Sequence, residues 1–168
     1  MFQSGIYNRK INMRRRRAEK REVVGDPKYN SDLVTRFISI LMVDGKRTIA
    51  ENILYNALVI LKEKTQDESA VKALNKAVDN VRPRLEVKSR RVGGATYQVP
   101  TDVVPARGMS LAMRWIRDYA RNKKGKPMEI KLAEELVAAY KSEGPAIKKR
   151  DEVHKMAEAN RAFSHLRW

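Results

Sequence analysis

The feature that most constrains this chain is a period. From Leu33 to Ala157 apolar residues recur every three or four positions, the spacing that lines one face of an α-helix, and the rhythm breaks once. Between Leu85 and Val99 it becomes alternation, which belongs to a strand. Such a chain is mainly α: a six-helix body with an inserted, protruding two-stranded β-hairpin. The first helix joins Leu33, Val34, Phe37, Ile38, Leu41 and Met42 behind Ser31 or Asp32 as cap, with Gly45 past its end. The second opens on the capping-box pair Thr48 and Glu51 and buries Ile49, Ile53, Leu54, Ala57, Leu58 and Leu61. Asp67 caps the third, over Ala70, Val71, Leu74, Ala77, Val78 and Val81, and Pro83 stops it. The fourth follows Pro105, with Leu111, Trp115 and Tyr119 in one row and Ala112, Ile116 and Ala120 in the next. The fifth runs from about Met128 to Ser142 and stops at Gly144-Pro145; the last begins near Asp151.

The alternating stretch turns at Gly93-Gly94, whose positive φ angles suit a two-residue hairpin. With those two at the centre, Val92 faces Ala95, Arg90 faces Tyr97 and Lys88 faces Val99. Around the first strand stand Arg82, Arg84, Lys88, Arg90 and Arg91 against one acid, Glu86. A lone ribbon is marginal in water. This one needs support from the helical body at one end and from a polyanion at the other.

Charge says what the ligand is. The 168 residues hold 36 Lys plus Arg against 20 Asp plus Glu, a formal charge of +16, and so strong a positive field suits nucleic acid. No apolar run approaches the ~20 residues of a spanning helix, and the cations are spread over many segments, so a membrane is not the partner. Met13 to Arg21 contains Arg14, Arg15, Arg16 and Arg17, then Lys20 and Arg21, before Gly25-Asp26-Pro27. Clustered like charges stay extended until a polyanion neutralises them. The chain therefore divides into an N-terminal stretch, residues 1–12; a basic arm, residues 13–30; and one helical domain, residues 31–168, with the hairpin at about 84–100. Met1 to Asn12 carries Arg9 and Lys10 and no acid, which leaves a genuine extension, a misread start and a targeting segment all open. There is no cysteine, in keeping with a reducing compartment.

Catalysis finds no foothold. His154 and His165 lack metal-ligand neighbours at suitable spacing, and thiolates are absent. Gly45-Lys46-Arg47 fails as a nucleotide loop, because Ile40 stands where a glycine is needed and Arg47 where Ser or Thr is needed. Glu134-Glu135, beside Lys131 and Lys141, reads as a solvated charged face. No cofactor, metal or small-molecule substrate is expected. Few aromatics are available for stacking, so binding should depend on phosphates and shape. The rival reading is an architectural DNA-binding protein with a basic β-arm, but such arms insert an apolar wedge, whereas this tip is Gly93-Gly94. A helix-turn-helix regulator is weaker, since Glu51, Asn52 and Asn56 give little positive charge for a major groove.

Several motifs in series narrow the polyanion. Ser31-Asp32-Leu33, Phe37-Ile38, Gly45-Lys46-Arg47, Ile53-Leu54 and Ala57 resemble the signature region of the small-subunit ribosomal protein number seven (S-seven) family. So do Arg82 to Val87, Ser89 to Ala95, Tyr97 to Pro100, Ser110 to Trp115 and Met156 to Phe163. The resemblance runs from about Met13 to Trp168 and points to the bacterial or organellar branch. It implies a structural component of the small ribosomal subunit, in the cytoplasm of a bacterium, that binds the 3′ major domain of ribosomal RNA and starts assembly of the head. It also implies a place near the exit site, where hairpin and C-terminal helix approach transfer RNA and messenger RNA. The implied protein neighbours are small-subunit proteins number nine and eleven.

Ribosomal RNA contacts are expected from Arg14, Arg15, Arg16, Arg17, Lys20, Arg21, Lys46, Arg47, Arg84, Lys88, Arg90, Arg91, Arg107 and Arg114. Guanidinium forks match phosphate geometry. Arg107 and Arg114 share a helix face away from Trp115, which reads as core. Arg90 and Arg91 point to opposite faces of the ribbon, so they can address different ligands. Exit-site contacts fall to Arg91, Val92, Gly93 and Gly94, and to Lys148, Lys149 and Arg150, which precede the expected last helix. Trp168 is an apolar anchor, for the body or for a partner.

Overall fold

A computed structural model describes residues 22–166. The basic run Arg14 to Arg21, the stretch Met1 to Asn12 and Trp168 lie outside the described residues. The elements are α1 (Asp32–Leu41), α2 (Arg47–Thr65), α3 (Ala70–Val81), β1 (Leu85–Val92), β2 (Ala95–Asp102), α4 (Pro105–Asn122), α5 (Met128–Tyr140), α6 (Pro145–Ala159) and a 3-10 turn (Arg161–Leu166). All six α-helices contribute to one core, from Phe37 and Ile38 of α1 through Leu54, Leu74, Ile116 and Leu136 to Ile147 of α6. Helix α5 lies against α2, α3 and α4 and is the shared wall.

The ribbon has the register expected from its turn: Lys88 pairs with Val99, Arg90 with Tyr97 and Val92 with Ala95. Gly93 and Gly94 take φ of 57° and 90°, as a primed hairpin turn requires. The ribbon extends past Pro100 to Asp102, where Leu85 meets it. Its base is held by the body. Val99 and Pro100 are buried, Tyr97 lies 5.3 Å from Phe163 of the 3-10 turn, and the tip from Ser89 to Thr96 is exposed apart from Val92.

Four local expectations are corrected. The final helix starts at Pro145, not near Asp151, with Gly144 at its N-cap (φ 92°) and Pro145 in its first turn. Helix α5 ends at Tyr140, before Ser142, which takes a left-handed φ of 61°, so Gly144-Pro145 begins α6 rather than stopping α5; proline at the first helical position loses no hydrogen bond. The Thr48/Glu51 capping box does not form: Lys46 is the N-cap, and Glu51 pairs with Arg47 at 2.7 Å one turn away. Ser69 rather than Asp67 occupies the N-cap of α3. Ile49 is exposed, at the mouth of a pocket that it lines with Leu41 and Val43.

Glu135 departs most from its reading as a solvated group. It is fully buried, its Oε1 accepts the backbone N–H of Ala146 (3.3 Å), and Lys123 Nζ stands 3.0 Å from Oε2. That ion pair lies outside hydrogen-bond geometry, so charge rather than a donor compensates Oε2. Glu134 does face outward, pairing with Lys126. At the other side, Gly108 lets α4 run close to the root of β1: a Cβ there would stand 2.9 Å from Arg82 Cγ and 3.1 Å from the Pro83 carbonyl.

Candidate nucleic-acid interface

Helix α4 organises the cationic surface. Arg107, Arg114 and Arg121 are exposed and recur every two turns, drifting only ~20° per heptad, so they form one stripe ~21 Å long. Arg107 meets the hairpin root and Arg121 the α1–α2 turn. Sequence alone singles out Arg107 and Arg114 and misses Arg121. Extending the same spacing by one heptad finds it.

At the hairpin end, Arg107 Nε donates to both oxygens of Glu86, at 2.9 and 3.1 Å, and Lys88 Nζ lies 3.1 Å from the same carboxylate. Burial pushes the Glu86 carboxyl up, but hydrogen bonds and charge from Arg107 and Lys88 outweigh it and hold the group below its ordinary 4.5. One of the expected RNA cations, Arg107, therefore also fastens the ribbon to α4, while Lys88 braces the same carboxylate from within the strand. Arg84 is exposed, while its backbone N–H donates to His154 Nε2 at 3.0 Å. Burial, then the charges of Arg150 and Arg84, hold His154 below 6.5 against the opposing pull of Asp151; the neutral ring is the form that accepts the Arg84 proton. Arg90 and Arg91 are exposed on opposite faces near the tip.

At the other end, Arg117 Nη1 and Arg121 Nη2 donate to the carbonyls of Ile40 and Leu41 (3.2 and 3.0 Å). They satisfy carbonyls that the end of α1 leaves open. Lys46 and Arg47 are exposed beside them, at the N-cap and first residue of α2 rather than in a free turn.

The chain reaches this surface from its N-terminal side. Val24 accepts a hydrogen bond from Thr35 Oγ1 (3.0 Å), and Val23 lines a cleft with Arg36 of α1 and with Ala106 and Ser110 of α4. Buried Asp26 fixes the next bend, accepting from the N–H groups of Lys28 and Tyr29 (both 3.1 Å) and from Tyr55 Oη (2.8 Å). Burial and that carboxylate push the Tyr55 phenol up to about 12. The described chain thus begins against α4, on the face that carries Ala106 and Ser110.

The remaining expected residues are less uniform. Lys148, Lys149 and Arg150 lie inside α6, not before it. Arg150 binds the Asn80 carbonyl and Asp151, and Lys149 sits 3.6 Å from Glu152. Lys148 is exposed. Among the described residues no His, Asp or Glu cluster could hold a metal ion, and no helix is long and apolar enough to cross a membrane.

A stripe of arginines joining a β-ribbon to a helix turn accompanies a clear likeness to known proteins. The family model for ribosomal protein S7p/S5e matches residues 13–161. The small ribosomal subunit protein uS7 of Fervidobacterium nodosum is 57% identical over 156 residues, covering 93% of this chain and 100% of that protein. That of Thermosipho africanus is 58% identical over 156 residues with the same coverage, and that of Pelobacter propionicus 57% over 155, covering 92% and 99%. On this likeness, and with the signature motifs in unbroken order, the chain belongs to the ribosomal protein S7p/S5e family.

Proposed function

We propose that this chain is a structural, non-enzymatic component of the small subunit of a bacterial cytoplasmic ribosome. There it binds ribosomal RNA directly, in the 3′ major domain, and seeds assembly of the head. The observation that carries this is the α4 stripe, which runs from the hairpin root at Arg107 to the Lys46-Arg47 corner at Arg121, with the start of the described chain against the same helix. Phosphates along that surface meet Arg107, Arg114, Lys46, Arg47, Arg84 and Lys88, while Arg14 to Arg17, Lys20 and Arg21 continue the contact outward. Arg90, Arg91 and the Val92-Gly93-Gly94 tip reach beyond the body, toward transfer RNA and messenger RNA at the exit site, with Lys148, Lys149 and Arg150 of α6 as a second contact. Small-subunit proteins number nine and eleven are the proposed protein neighbours.

Counterion release supplies the test. Removing Met1 to Arg21 weakens binding to a 3′ major domain RNA fragment and lowers the slope of log affinity against log salt by about 0.9 for each phosphate that the arm neutralises. An unchanged slope defeats the role given to the arm.

A further inference from the structure

Val43 and Ile49 are 53% and 54% exposed, an unfavourable state for large aliphatic side chains in water. Both line a pocket of about 230 Å³ where the α1–α2 turn meets the start of α5. The more buried lining is Leu41, Ala50, Ile53 and Met128. The only charges in the lining are Lys46 and Arg121, both positive, and Arg121 is held in place by its bond to the Leu41 carbonyl.

An apolar floor between two cations selects its occupant. A cavity of about 150 Å³ lined by aliphatic groups holds benzene, so this one admits a heteroaromatic ring system. An aliphatic protein side chain would cover the floor but leave both cations without a counter-charge. A nucleotide satisfies both, since it carries an apolar ring face and an anionic linkage on each side. A paired base has its faces covered by its stack, so only an unpaired one can enter.

We propose that this pocket takes one unpaired nucleobase of the RNA the chain binds, ring face against Ile53, Val43 and Ile49, flanking phosphates on Lys46 and Arg121. It rests on the RNA-binding reading above and adds a mode of recognition to it. Phosphate contacts alone position a protein but carry no information about the bases. A base pocket lets this chain discriminate a loop or bulge from a continuous helix.

The full chain with a 3′ major domain RNA fragment tests this. The double variant Val43→Ser/Ile49→Ser alters only exposed side chains. It should bind about tenfold more weakly, with the salt slope unchanged because every phosphate-binding cation remains in place. The chain has no cysteine, so Val43→Cys gives a single attachment point for a photo-crosslinker. The crosslink should fall on an unpaired nucleotide, in the fragment and in the assembled subunit alike. Unchanged affinity in the double variant, or a crosslink to a paired nucleotide or to a neighbouring protein, overturns the pocket. Absence of salt-dependent binding by the unaltered chain would instead defeat the RNA-binding reading itself.

Discussion

Glu135 shows how one side chain can couple two segments. Its carboxylate takes the Ala146 N–H at the start of α6 and the charge of Lys123 from the α4–α5 loop. Gly144 has no side chain with which to cap α6, so Glu135 serves that helix from α5. Lys123 is partly exposed and can turn to water if its partner is removed, so the cost of Glu135→Ala is that of an open N–H and a small void. We expect a drop of about 2 kcal/mol in denaturant unfolding, and distinctly less for Glu135→Gln, which keeps an acceptor. Equal drops would show that the charge, rather than the acceptor, matters. Adjacent acids beside lysines look solvated in sequence, yet Glu135 falls three residues after Leu132 and four before Ala139, on the core face. That register is readable from the sequence; the partners Lys123 and Ala146 are not, because they come from other segments.

The ribbon is an element whose root depends on two titrating groups. Neutral His154 accepts the Arg84 N–H, and ionised Glu86 accepts from Arg107. Both have pKa values below their ordinary ones, so the unfolded chain binds protons more readily and stability falls as the pH falls. The His154 contribution is complete above 6.5 and disappears as pH drops through its depressed value; that of Glu86 is complete above 4.5 and goes later. Amide exchange at Arg84 and Val103, corrected for intrinsic chemistry, should quicken below pH 6.5 and again below 4.5, with His154→Gln lacking the first step. Constant protection across both ranges would contradict the two-group root. The pairing of this element is legible in sequence because Gly93-Gly94 fixes the register from the turn outward. Its length is not, since Pro100 reads as an end; at the edge of a two-stranded ribbon a proline can stay in the strand. The start of α6 is hidden for a related reason: Gly144-Pro145 reads as a stop, but it is the N-cap and first residue of the next helix.

Across the whole molecule, some cations only face outward and others also hold the protein together. Arg117, Arg121 and Arg150 donate to backbone carbonyls and Arg107 to Glu86, so part of the hydrogen-bonding capacity of these guanidinium groups is used inside the fold. Composition reveals the excess but not this division, which depends on α4 and α6 lying beside the ends of other elements. The tip is the part least tied to the rest. Replacing Arg91–Thr96 with Asn-Gly keeps the Arg90–Tyr97 pair and every buried group at the base. Unfolding should remain a single transition, within about 0.5 kcal/mol of the original, while retention of transfer RNA on ribosomes changes. Loss of cooperative unfolding would make the tip part of the core.

The close approach at Gly108 has a mechanical meaning. Each strand of the ribbon is eight residues long, or ~27 Å, and the ribbon leaves the body where α4 passes Arg82 and Pro83. On a lever of that length, each degree of tilt at the fulcrum sweeps the far end by about half an ångström. A single methyl group added at Gly108 would crowd Arg82 Cγ and the Pro83 carbonyl, and so bear on the ribbon at its root without touching its tip. The absence of a side chain at Gly108 sets the range and bearing of the arm.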